Sequence, residues 1–215
     1  MIDSYKTLSV GKYMEIRELL KQDLEELDLQ AEILGVLNDM SVEDIMRLPL
    51  PKYSEYVRMS AFLTEKPKPK ADCPKKISLN DRKYYVVKKA EDLTAAQYID
   101  YQNYMKMDDP DSKLAEILSI FIIPEGKKYG EDYDIAEVVK DIKEYLPIIV
   151  GFNICFFFRK KQAESIERTL IYLGLTMRIM KRKAPTPEQK QMLTEAEKKM
   201  KLLRDSLISG GLYIG

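Results

Sequence analysis

The stretch LPIIVGFNICFFFRKK, Leu146 to Lys161, is the most apolar run of the chain, and it stops against three consecutive cations. A helix that crosses a bilayer needs roughly 20 apolar residues, whereas this run extends only from Leu146 to Phe158 before Arg159. It is too short to span. An interfacial amphipathic helix would also end in cations, but so does a core helix at the point where it leaves the core. The run therefore reads as the deeply buried first half of a long helix that starts near Pro147 and turns amphipathic beyond the cations.

Downstream, Ala163, Ile166, Leu170, Leu173, Met177 and Met180 recur at alternating spacings of three and four, a coiled-coil-like seam. KRKAPTPEQ then ends that helix and opens another, with Thr186 as cap, Pro187 at the first helical position and Gln189 completing a capping box. Met192, Ala196, Met200, Leu203 and Leu207 form the facing stripe, so a long antiparallel helical hairpin is expected at the C-terminal end.

Upstream, helical periodicity returns. Thr94 and Gln97 form a capping box before Tyr98, Tyr101 and Met105. After the acidic break DDPD (108–111), SKLAEILSIFII predicts an apolar helix that ends at Pro124. The loop PEGKKYGEDYD leads to a helix at about 135–145 capped by Asp134. The first third reads as three or four short helices: 12–20 after Ser9, 42–47 after Ser41, and one from Pro51 that places Tyr53, Tyr56, Val57, Ser60 and Leu63 near one face.

Between these helical regions, EKPKPKADCPKK (65–76) breaks all periodicity with three prolines and five lysines, the signature of an extended, solvated linker. In ISLNDRKYYVV, Ile77 and Leu79 alternate with polar residues, and Asn80-Asp81 supplies a two-residue turn into Lys83 to Val87. Two strands are not stable alone, so this hairpin must pack on helices or pair with another chain. The expected fold is α+β and mostly α: bundle-like helices, one small β-hairpin and the long C-terminal helical hairpin. It divides into a helical subdomain over 1–65, a basic linker plus hairpin over 66–89 and a helical domain over 90–215.

The 215 residues suffice for a core without metal or disulfide support. Cys73 and Cys155 lie far apart, which speaks against a disulfide framework. With no histidine, the chain lacks the commonest catalytic base and transition-metal ligand. The opening MIDSYKTLSVGKYMEI has no signal- or transit-peptide pattern, so a cytoplasmic location is expected. The net charge of zero conceals blocks: 1–65 carry 7 cations and 13 anions, 66–89 carry 9 and 2, 90–146 carry 6 and 14, and 147–215 carry 13 and 6. Attraction between segments of one fold is the default use of such alternation.

No motif names a chemistry. Gly126-Lys127-Lys128 lacks the glycine spacing and hydroxyl residue of a phosphate-binding loop, and the acids after Gly130 lack the glycine of a calcium loop. Asp108, Asp109 and Asp111 flank a proline, where acids serve as turn and cap residues. Neither a nucleophile elbow nor a base near either cysteine is present, so no enzyme, no cofactor and no metal site is expected. The basic block at 66–89, with Tyr84 and Tyr85, keeps nucleic acid as a disfavoured alternative, because acidic blocks of equal weight accompany it.

Surplus aromatics remain. Three consecutive phenylalanines on a helix spread over roughly 200°, more than one core-facing stripe covers. Some phenylalanine of Phe152, Phe156, Phe157 and Phe158 must meet a second surface, either another layer of the fold or a partner. Tyr98, Tyr101 and Tyr104 form a second cluster of this kind.

In the order LTAAQYIDYQNYMK, LAEILSIFIIPEGKKYGEDYDIAEVVKDI and LPIIVGFNICFFFRKKQAESIERTLIYL, residues 90–180 resemble tail assembly chaperones encoded in the tail modules of tailed bacteriophages and prophages. The resemblance implies a helical, non-enzymatic assembly factor in the host bacterial cytoplasm. Such a factor coats the hydrophobic helical tape-measure protein and is released as tail-tube subunits polymerise. Phe152, Phe156, Phe157, Tyr98 and Tyr101 are the candidate partner-binding residues, with homo-oligomerisation left open and no membrane partner. The alternative is a structural virion component, a connector, tail or baseplate subunit, that uses the 77–87 hairpin to add strands to a neighbour.

Overall fold

The structure is a computed structural model that describes residues 2–70, 73–88, 90–183 and 186–209. The fold is α+β and mostly α. By internal contacts it forms two compact units, Met1–Phe157 and Phe158–Gly215. The segments read as 1–65 and 66–89 lie in the first unit together with residues 90–157, and the boundary falls inside a helix.

The first unit opens with α1 (Val10–Leu19), α2 (Glu26–Asn38), α3 (Val42–Met46) and α4 (Leu50–Ser60). Ser9 and Ser41 cap α1 and α3 by accepting from the N–H groups of Lys12 and Asp44. Ala31, Leu34 and Ile45 form a small core against Tyr53, Tyr56 and Val57. The hairpin consists of β1 (Lys76–Leu79) and β2 (Arg82–Val86), with Asn80 and Asp81 both in left-handed conformation at φ 49° and 59°. Those dihedrals make a turn whose twist matches the strands.

A third strand completes the sheet. The apolar helix read through to Pro124 ends instead at Phe121, as α6 (Leu114–Phe121), and Ile122–Pro124 form β3. This corrects the reading of SKLAEILSIFII. Proline disfavours helical backbone in the residue before it, and two β-branched isoleucines suit a strand. β3 pairs antiparallel with β2, Val86 opposite Ile122 and Tyr84 opposite Pro124, which makes β2 the central strand. That pairing gives the hairpin the further support it requires.

Among the later helices, α5 (Ala95–Met105) carries the complete Thr94–Gln97 capping box, and α7 (Ile135–Tyr145) is capped by Asp134. The helix begun by the apolar run is α8 (Ile148–Lys183), followed by α9 (Pro187–Ser209). Residues 184–185, where the turn of the hairpin is expected, lie outside the described residues, as do the side chains of Ala163, Ile166 and Leu170 of the expected seam.

The start of α8 anchors the first unit. Ile148, Gly151, Phe152 and Ile154 are buried, while Ile149, Val150, Cys155, Phe156 and Phe157 are half-buried. The N-terminal segment is stitched to this start: the Val10 N–H donates to the Leu146 carbonyl at 2.9 Å and the Ile148 N–H to the Leu8 carbonyl at 2.8 Å. α1 also crosses α7 closely, since a Cβ on Gly11 would stand 2.8 Å from the Lys143 carbonyl oxygen. The segment read as a solvated linker has no regular structure over residues 66–70, but it is held: the Lys70 N–H donates to Asn153 Oδ1 at 2.6 Å, and Cys73 is buried.

Candidate partner-binding surface

The five aromatic candidates divide by environment. Phe152 is buried edge-to-face on Tyr13, ring centroids 5.2 Å apart, and Tyr101 is buried against Phe121 at 5.6 Å. These two belong to the core of the first unit and are not available as a surface. Phe156 and Phe157 are half-buried, with the Lys88 ammonium 5.8 Å from the Phe157 ring centroid. Tyr98 is 49% exposed, and Ile99 beside it is 57% exposed.

The local reason for this split on α5 is a polar residue. Gln97 is buried: its Nε2 donates to the Ile120 carbonyl at 2.6 Å, and its Oε1 accepts from the Thr94 N–H at 3.0 Å. With Gln97 and Tyr101 one turn apart on the inward face, Tyr98 and Ile99 turn outward. Ile99 is the exposed apolar residue that an aromatic count overlooks. The capping box places the helix start but not its rotation, which Gln97 sets by reaching the Ile120 carbonyl of α6.

A buried polar constellation joins the hairpin to α7. Tyr84 donates its hydroxyl hydrogen to Asp141 Oδ2 at 2.5 Å, and both residues are buried. Asn80 Nδ2 donates to Asp141 Oδ1 at 3.4 Å, while the Arg82 guanidinium donates to Glu137 at 2.8 Å and lies 3.7 Å from Asp141. Burial, and then the hydrogen bond to Asp141, pushes the Tyr84 phenol up to about 12. A phenol moved away from neutrality is poorly matched to acid–base catalysis, and the arrangement acts as a clamp. Tyr129 makes a similar bond to Asp100 at 2.8 Å, tying the 125–134 loop to α5, and burial likewise raises its phenol above the ordinary value.

Some of the charges that suggested other chemistry are engaged within the fold. Asp109 pairs with Lys21 and Asp111 with Arg17, so two of the three acids around Pro110 bind α1 and the turn that follows it. In the basic block, Lys76 pairs with Glu125 and Arg82 with Glu137. Among the described residues no group of three or more His, Cys, Asp or Glu side chains is placed to hold a metal ion, and no helix is long and apolar enough to cross a membrane.

In the second unit, α8 exposes Tyr172, Leu173, Leu175, Ile179 and Met180. Leu173 and Met180 belong to the expected seam, and Met177 between them is half-buried. Compared with protein-family models, with curated proteins and with solved structures, the chain finds no match in any of the three.

Proposed function

We propose that the protein is a non-enzymatic assembly factor of a tailed-bacteriophage tail module, which shields an apolar helical segment of a structural partner such as the tape-measure protein. The observation that carries this reading is the outward pair Tyr98 and Ile99 on α5. An aromatic and a β-branched side chain standing together in solvent on a well-capped helix suit contact with another apolar helix. Phe156 and Phe157, half-buried, remain candidates for the same role, whereas Phe152 and Tyr101 do not. The likeness of residues 90–180 to tail assembly chaperones supplies the identity of the client and the host bacterial cytoplasm as the setting.

The test is co-expression with the tape-measure protein followed by affinity capture. Ile99→Asp is expected to abolish capture with unchanged far-UV circular dichroism, and retained capture would remove α5 from the contact. Phe156→Asp extends the surface to α8 if it acts in the same way; unfolding of that variant would assign Phe156 to the core. Mass spectrometry of purified particles against crude lysate separates the two functional readings. Abundance in lysate with absence from particles supports a transient factor, and stoichiometric presence in particles replaces it with a structural subunit.

A further inference from the structure

The second half of α8 carries two apolar stripes. Leu173, Met177 and Met180 continue the seam, and Tyr172, Leu175 and Ile179 form a second line at the same alternation of three and four. At roughly 100° per residue, the six positions sweep about 200° of the helix circumference, about twice a single core-facing stripe. Five of them are between 40% and 69% exposed. Within the unit Phe158–Gly215, α9 is the one other helix among the described residues, and one neighbour can close one stripe.

A helix with two adjacent stripes of this spacing suits a four-helix bundle, in which each helix meets two neighbours. We infer that α8 and α9 pair with the same two helices of a second copy of this chain, completing such a bundle. The area is sufficient. At roughly 100 Å² of exposed surface for each of the five side chains, two copies would bury on the order of 1,000 Å² from these alone, the size at which specific interfaces begin. α9 carries both signs, Glu188, Glu195, Glu197 and Asp205 with Lys190, Lys198, Lys199, Lys201 and Arg204, so apolar area rather than charge holds the pairing.

Analytical ultracentrifugation of the full chain at micromolar concentration tests this. The expected mass is twice the 25.0 kDa of one chain. Tyr172→Glu and Ile179→Glu, made separately, are each expected to weaken association at least about tenfold while helicity is kept. Should one variant lose helicity, the other carries the comparison. Leu50→Glu and Ile99→Asp, at exposed positions of the first unit, should leave the mass unchanged, which separates this surface from the one on α5. A monomeric wild-type chain overturns the inference, as does undiminished association of both α8 variants.

Discussion

Tyr84 and Asp141 illustrate how a single hydrogen bond governs this fold. Both are buried, so the bond forms away from competing water, and losing one partner strands the other. Tyr84→Phe is expected to lower stability by about 1–3 kcal/mol at neutral pH, measured by urea denaturation, because Asp141 is left, among the described residues, with the longer contacts to Asn80 at 3.4 Å and Arg82 at 3.7 Å. The pH dependence has a definite sign. The folded phenol titrates above its ordinary value of 10.0, at about 12, so its contribution is fully present below pH 10 and is lost as pH rises toward 12. That fall amounts to about 2–3 kcal/mol. The variant should show a shallower alkaline decline between those limits; identical declines would acquit Tyr84 as the group responsible.

At the level of elements, the capped helix N-termini were the most legible features, because a cap is a local bond between near neighbours. Ser9, Ser41, Thr94 with Gln97, and Asp134 each cap the helix they were expected to cap. Asn80-Asp81 turned the hairpin as expected. β3 was not legible: Ile122 and Ile123 extend the apolar pattern of α6 without interruption, and only the free edge of β2, brought near by the fold, decides that they are a strand. The outward rotation of Tyr98 was equally hidden, since it depends on Gln97 reaching a carbonyl of α6.

Two substitutions probe these elements. Asp81 at φ 59° occupies the position where glycine is favoured in such turns, so Asp81→Gly should raise stability by about 0.5 kcal/mol, read as a higher urea midpoint. A lower midpoint would show that the Asp81 side chain contributes to the turn. At the α1–α7 crossing the opposite holds. A methyl group on Gly11 would meet backbone rather than a flexible side chain, and Gly11→Ala should destabilise by about 1–3 kcal/mol despite the better helix propensity of alanine. A gain in stability would mean that the two helices separate easily.

For the whole molecule, the informative feature is that one helix serves two compact units. α8 begins in the first unit, where Gly151 lies against Leu118 and Val10, and continues from Phe158 in the second. Its apolar start was legible as core because length excludes a membrane span, whereas its amphipathic half was legible only as a seam, because a seam does not say which helix covers it. Gly174→Pro tests whether the units unfold as one. Proline in a helix interior removes a backbone hydrogen bond and clashes with the preceding turn, at about 3 kcal/mol or more. Tyrosine is a selective reporter: of 14 tyrosines, only Tyr172 and Tyr213 lie in Phe158–Gly215, and the chain has no tryptophan. The expected outcome is a loss of far-UV helical signal with a near-UV tyrosine transition at an unchanged temperature. If the tyrosine transition falls together with the helical signal, the two units form one cooperative block, and the continuous backbone of α8 is the element that couples them.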